Sequence, residues 1–332
     1  MTPDTLLSVR DLKVHFPVGG GLFGARKVVK AVDGVSFDVR RGSTFGIVGE
    51  SGSGKSTTAL AVMRLVKITS GTVQLGDARI SHLEGEALRR ERRRFQMVFQ
   101  DPYASLNPRK RAGDAILDAL NLMEVGEPAG RPERARELFM QTGLRPEQLQ
   151  LFPHQFSGGQ RQRIVLARAL AARPELVVCD EPVSALDVAI QAQMLNLMMR
   201  LQREFGLTYL FISHDLGVVR HLCDEVAVMY LGVIVEQAPR EALFERPLHP
   251  YTRALWSAAP SFDPDARSRK DRIRLQGDPP SPLAVPPGCR FAGRCPYATD
   301  ECRTAEPVLR EVAPGHRIAC HRVDDQGQAR YE

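Results

Sequence analysis

Gly49-Glu50-Ser51-Gly52-Ser53-Gly54-Lys55-Ser56 fits the pattern G-x-x-x-x-G-K-[ST], directly after the apolar run Phe45-Gly46-Ile47-Val48 and directly before a stretch with helical spacing. That setting suits phosphate binding: glycines let backbone N–H groups wrap an anion, and the helix N-terminus adds the positive end of its dipole. In such a loop Lys55 reaches the β- and γ-phosphates of a nucleotide and the Ser56 hydroxyl binds Mg2+, with Thr57 completing the phosphate-facing set. A nucleotide also requires a second metal contact and a group that activates water. Leu176-Val177-Val178-Cys179-Asp180-Glu181 supplies both, as an apolar strand ending in two acids. Asp180 is suited to hold Mg2+ through its water shell, and Glu181 to act as general base toward the attacking water. Cys179 reads as buried strand packing, since nothing nearby lowers its pKa.

A second glycine-rich stretch, Gly19-Gly20-Gly21-Leu22-Phe23-Gly24, literally fits G-x-G-x-x-G and is rejected as a dinucleotide site. It opens no helix, and the basic Arg26-Lys27 and strand-like Val28-Val29 after it are wrong for that context. A surface loop is the better reading.

Between the phosphate loop and the paired acids stands Phe156-Ser157-Gly158-Gly159-Gln160, opening a helical stretch. Here the chain resembles the ATP-binding cassette (ABC) family, whose signature reads L-S-G-G-Q; Phe156 keeps the apolar first position. The resemblance implies phosphate contacts from Ser157, Gly158, Gly159 and Gln160. Gln100, in Met97-Val98-Phe99-Gln100-Asp101, becomes the Q-loop residue that touches Mg2+. Asp187, in Ser184-Ala185-Leu186-Asp187, falls in the D-loop, and His214, in Ile212-Ser213-His214-Asp215, is the switch histidine. Phe16 matches the aromatic position that stacks on adenine, a place in the core being the other reading.

The resemblance narrows further on Gln100-Asp101-Pro102-Tyr103-Ala104-Ser105-Leu106-Asn107-Pro108-Arg109, on Asp180-Glu181-Pro182-Val183-Ser184-Ala185-Leu186-Asp187-Val188, and above all on Pro247-Leu248-His249-Pro250-Tyr251-Thr252. These look like the ATPase subunits of bacterial dipeptide and oligopeptide importers, nearest the second, dipeptide-type ATPase. The Pro-rich tail with Pro287-Gly288-Cys289 resembles their C-terminal extension. Such a resemblance implies an ATP- and Mg2+-dependent transport ATPase, peripheral on the cytoplasmic face of the inner membrane. It would pair head to tail with a second ATPase subunit, an unlike sister, and work with two membrane permease subunits and, through them, a substrate-binding protein. Importers for nickel, a heme precursor or glutathione share this ATPase type.

Cys289, Cys295, Cys302 and Cys320 crowd the end of the chain at spacings of five, six and seventeen intervening residues. Paired C-x-x-C knuckles, the strong zinc signal, are absent. Related importer ATPases carry a [4Fe-4S] cluster on such cysteines, so the resemblance implies these four as its thiolate ligands. Zinc or unliganded thiols are the alternatives. His316 and His321 are near enough to substitute as ligands, with solvated loop residues as their other reading.

The elements that must position these residues alternate. Strand-like runs at Thr44 to Val48, Gln96 to Phe99, Leu176 to Cys179 and Tyr209 to Ile212 are interleaved with helical stretches at Lys55 to Leu65, Gly159 to Ala172 and Ala189 to Glu204. This predicts an α/β fold with a mostly parallel sheet and covering helices. By resemblance it is a P-loop NTPase, an ABC-type nucleotide-binding domain over 1–238 with a helical subdomain about 101–165. Of 23 prolines, 13 lie from Pro239 onward, so 239–332 is expected to be a small, turn-rich C-terminal extension bearing the cysteines.

Composition bounds the rest. The 332 residues carry 45 Lys and Arg against 39 Asp and Glu, a net +6, with 43% hydrophobic and 25% charged residues, which excludes a disordered or collagen-like chain. No apolar run approaches the roughly 18 residues of a membrane span, and Asp4 and Asp11 spoil a signal peptide, so an intracellular protein without a membrane segment is expected. A charge of +6 is mild for this length, and Arg89 to Arg94 reads as a solvated helix face, so no nucleic-acid partner is expected. The rival function is an ABC-type ATPase of DNA repair or chromosome structure. Such proteins commonly interrupt the cassette with a long coiled coil or zinc element, whereas here about a hundred residues without heptads separate Gly54 from Ser157. Intact Lys55, Glu181 and His214 disfavour a non-catalytic regulatory paralogue.

Overall fold

The computed structural model describes residues 4–19, 27–258, 273–278 and 280–331. The strands are β1 (Thr5–Val18), β2 (Lys27–Arg40), β3 (Thr44–Val48), β4 (Ser70–Leu75), β5 (Phe95–Val98), β6 (Leu176–Asp180), β7 (Thr208–Ser213), β8 (Glu225–Tyr230), β9 (Val233–Pro239), β10 (Arg310–Ala313) and β11 (His316–Ile318). The helices are α1 (Lys55–Val62), α2 (Gly85–Glu91), α3 (Pro102–Ser105), α4 (Ala112–Leu122), α5 (Arg131–Gln141), α6 (Gly158–Ala171), α7 (Val188–Phe205), α8 (Leu216–Leu222), α9 (Arg240–Glu245) and α10 (Pro250–Ala258), with one further turn of helix at Asp300–Thr304. Beyond Gly19, the rejected glycine stretch lies outside the described residues.

The chain divides into two compact units, neither continuous in sequence. One comprises 1–7, 39–43 and 74–211, the other 8–38, 44–73 and 212–332. In the second, β8 runs parallel to β3, pairing Ile47 with Ala227, and antiparallel to β9. Every residue of β3 is buried, as its unbroken apolar run requires of a strand covered on both faces. Gly46 is needed there because a Cβ would stand 2.7 Å from Cys223 Sγ, just after α8. The tail then adds what its composition did not suggest: β11 pairs antiparallel with β9, Arg317 opposite Gln237, and β10 pairs with β11. The sheet, expected to be mostly parallel, is antiparallel from the β8–β9 pairing through β11 and β10. A separate three-stranded sheet has the order β2-β1-β4.

In the first unit β5 and β6 are parallel, Val98 opposite Cys179. The segment 101–155 is helix and loop, α3 to α5 with 3-10 turns. Two devices tie it to α6. Phe156, the odd residue of the signature, is buried and meets Phe139 of α5 edge to face at 6.5 Å, so the aromatic ring in place of leucine fills this helical packing. Arg161 donates to the carbonyl of Pro153 at 2.6 Å and lies over the Tyr103 ring at 3.7 Å. The eighteen residues of α7 follow Asp187, whose carboxylate accepts from Ile190 N–H at 2.9 Å, and end before Gly206, which takes the left-handed conformation at φ 65°.

Candidate functional site

The phosphate loop joins β3 to α1 within the second unit. Gly49 and Gly54 sit at φ 155° and 105°, and a Cβ on either would stand 2.2 Å from the Met229 carbonyl oxygen or 2.3 Å from that of Ala31. Glycine is therefore required by backbone neighbours that cannot yield. Lys55 is buried and its Nζ donates to the carbonyls of Gly49 at 2.8 Å and Glu50 at 2.9 Å, so the ammonium lies across the loop. Ser53 is buried with its Oγ lacking a hydrogen-bond partner. An orphaned hydroxyl, a buried ammonium and a helix whose N-cap, Gly54, carries no side-chain acceptor form a donor set that fits nucleotide phosphates. Ser51, Gly52 and Ser56 are exposed and Thr57 is half-buried, while His214 is exposed just beyond β7. Phe16, on β1, is 38% exposed, which removes the core alternative and leaves a ring available for stacking.

In the first unit Asp180 ends β6, and Glu181 comes next with φ 48°, a left-handed conformation uncommon outside glycine. The turn after it holds this geometry: Ser184 donates to the Glu181 carbonyl through Oγ at 3.0 Å and through N–H at 3.3 Å. Gln100 Nε2 donates to Glu181 Oε2 at 3.2 Å, bringing the Q-loop amide and the candidate base together. Cys179 is fully buried, and burial pushes its thiol far above the usual range, as expected of packing rather than reactivity.

The signature residues form the start of α6. Ser157 Oγ accepts from Gln160 N–H at 3.3 Å while Gln160 Oε1 accepts from Ser157 N–H at 3.0 Å, a reciprocal capping box. Gln160, expected at phosphate, thus spends its side chain on its own helix, and Asp187 likewise caps α7. A Cβ on Gly159 would meet Ile190 Cγ2 at 2.4 Å, and one on Gly158 would lie 3.7 Å from Leu186.

The tail cysteines gather in the second unit. Burial pushes the Cys289 thiol up to about 11 and that of Cys320 up to about 12, and neighbouring thiols of the same set add to both shifts. Cys295 is also raised, first by burial. Yet among the described residues no three His, Cys, Asp or Glu groups form a set that could hold a metal ion. His316 corrects one expectation: it is buried, not a solvated loop residue, and donates from Nε2 to Glu236 at 2.8 Å. His321 Nε2 donates to the Ala305 carbonyl at 3.0 Å.

Sequence reasoning missed two residues that hold the phosphate loop. Tyr251 Oη accepts from Glu50 N–H at 2.8 Å, and Arg294 donates to both Glu50 carboxylate oxygens, at 2.8 and 3.2 Å. The motif around Tyr251 was visible as a family marker without a role. Arg294 stood unnoticed beside Cys295.

A strand, glycine loop and helix with a buried lysine, together with strand-end acids, define a P-loop nucleotide-binding protein. Residues 32–184 match the family described as ABC transporter, and residues 235–302 match oligopeptide/dipeptide transporter, C-terminal region. The oligopeptide transport ATP-binding protein AppF of Bacillus subtilis is 51% identical over 321 residues, 96% of this chain and 97% of that protein. The di/tripeptide transport ATP-binding protein DppF of Pseudomonas aeruginosa is 49% identical over 321 residues, 97% of this chain and 98% of that protein. The dimeric structure of the bacterial ABC transporter cassette MJ0796 superposes with a TM-score of 0.62 at 26% identity, covering 71% of this chain and 99% of that one. The chain belongs to the ABC transporter family of ATP-binding proteins. Among the described residues no helix is long and apolar enough to cross a membrane.

Proposed function

We propose that this chain is the ATP-hydrolysing subunit of an importer for dipeptides or oligopeptides, attached to the cytoplasmic face of the inner membrane. The observation that carries this reading is identity of about half over nearly the full length with two peptide transport ATP-binding proteins, tail included. Its partners are a second, unlike ATPase subunit, two permease subunits and, through them, a substrate-binding protein. Purification from native membranes with mass spectrometry should recover the sister ATPase and both permeases. Recovery with DNA-repair or chromosome proteins instead would overturn the reading. In proteoliposomes a peptide-loaded binding protein should stimulate hydrolysis, and stimulation only by nickel or glutathione would move the chain to another importer class.

In this reading Lys55 and loop N–H groups from Ser51 to Ser56 hold the β- and γ-phosphates, and Phe16 stacks on adenine. Ser56, Asp180 and Gln100 would hold Mg2+, which supplies charge neutralisation of the phosphates. Glu181 takes the proton of the attacking water, supported by its contact with Gln100. His214 senses the γ-phosphate. Glu181→Gln should leave ATP bound while hydrolysis falls by about a hundredfold or more; near-normal turnover in the assembled complex rejects the role. Ser157, Gly158 and Gly159 serve the partner's nucleotide, so Ser157→Arg should impair ATP held by the sister subunit and spare ATP held by Lys55. The reverse result rejects the shared-site arrangement.

Cys289, Cys295, Cys302 and Cys320 are the thiolates that would hold a [4Fe-4S] cluster, an electronically tunable, largely structural cross-link. What supports this ligand set is the family resemblance of the cysteine-bearing tail, while among the described residues no three His, Cys, Asp or Glu groups form a set that could hold a metal ion. Anaerobically purified protein should be brown with iron and sulfide near one to one, and Cys295→Ser should lose most of both. Colourless protein with stoichiometric zinc favours the zinc alternative.

A further inference from the structure

Glu50 is the second residue of the phosphate loop, and each of its polar groups is held. Its N–H donates to Tyr251, its carbonyl accepts from Lys55 Nζ, and its carboxylate receives both prongs of Arg294. Lys55 belongs to the loop, but Tyr251 and Arg294 stand 201 and 244 positions from Glu50. The Arg294 side chain is only 9% exposed. Its guanidinium also donates to Tyr230 Oη at 3.4 Å, and Tyr230, Tyr251 and Phe291 pack against one another with ring centroids 4.7 to 5.4 Å apart. Four residues before Arg294, Arg290 makes a second staple, donating to the Leu231 carbonyl at 2.7 Å and to Asp33 at 2.6 Å. The segment from Cys289 to Cys295 is therefore fastened at two points to elements around the loop.

A two-pronged guanidinium–carboxylate contact fixes direction as well as distance. A loop that must aim its N–H groups inward binds phosphate more tightly when its shape is set beforehand, because less ordering remains to be done on binding. We propose that Arg294 is a positioning residue for nucleotide binding: from the cysteine-bearing tail it holds Glu50 and so presets the phosphate loop. The proposal rests on the reading of Gly49 to Ser56 as the ATP phosphate site.

ATP titration of the full chain, with steady-state hydrolysis by the purified transporter, tests it. Arg294→Ala should raise Kd and KM for ATP about tenfold while kcat changes less than about twofold, and Arg294→Lys should recover part of the loss. General loosening of the fold would lower kcat as well. Glu50→Gln reaches the same contact without touching the cysteine segment and should match Arg294→Ala, with the double variant no worse than either single one. Kd within about twofold of the unaltered protein in both single variants, effects that multiply in the double variant, or loss confined to kcat would each overturn the proposal. Lys55→Ala separates the two levels: ATP binding that survives this change overturns the site reading itself, whereas its loss alongside silent Arg294 variants overturns only the positioning role.

Discussion

The helices α1 and α6 both begin at glycine-rich loops, yet their starts are built differently. Before α1 no side chain caps the helix, and the glycines are enforced by the carbonyls of Met229 and Ala31. Before α6 the N–H groups of Ser157 and Gln160 are answered by their capping box, and Gly159 is enforced by the side chain of Ile190. The first start is a backbone-enforced glycine cradle with the Lys55 ammonium laid across it. The second is a side-chain-capped, small-residue start, suited to meeting a group brought by another molecule.

The largest effect should fall on the cradle. Lys55→Ala removes its buried ammonium, and ATP affinity measured by calorimetry should fall about a hundredfold. Gly49→Ala should come next, with a Cβ 2.2 Å from a backbone oxygen. Thermal melting should show a loss of about 2 to 3 kcal/mol in stability, and relief by trimming any one side chain would contradict the backbone origin of the constraint. Gly159→Ala meets only the Cγ2 methyl of Ile190, so about 1 to 2 kcal/mol is expected, largely restored by adding Ile190→Ala. An unrelieved loss would show that α6 shares the rigidity of α1. The smallest change is Ser157→Ala, which should cost about 1 kcal/mol of stability through the lost cap and leave ATP affinity at the chain's own loop unaltered. A matching fall in that affinity would erase the distinction between the two starts.

Gly49 to Ser56, Asp180 and Glu181 were legible because phosphate chemistry demands particular residue types at short spacing, beside strands and helices whose apolar patterns are equally local, whereas Ser157 to Gln160 were legible through their resemblance to the family signature. At Gln160 one pattern carries two meanings: S-x-x-Q is also a capping box, and the hydrogen bonds give its side chain to Ser157. Strands β10 and β11, four and three residues long, are too short to announce themselves by alternation, and β11 exists because β9 offers it an edge.

Motif spacing, with the family resemblance it carries, was enough to specify the class of fold and the ATP-binding family. Only the tertiary structure could assign Arg294 and Tyr251 to Glu50, His316 to Glu236, and Phe156 to Phe139. A catalytic loop is selected through its own short-range geometry, whereas the groups that hold it in shape are chosen by proximity after folding. An ion pair joining positions 244 residues apart leaves no local period or pattern in either segment.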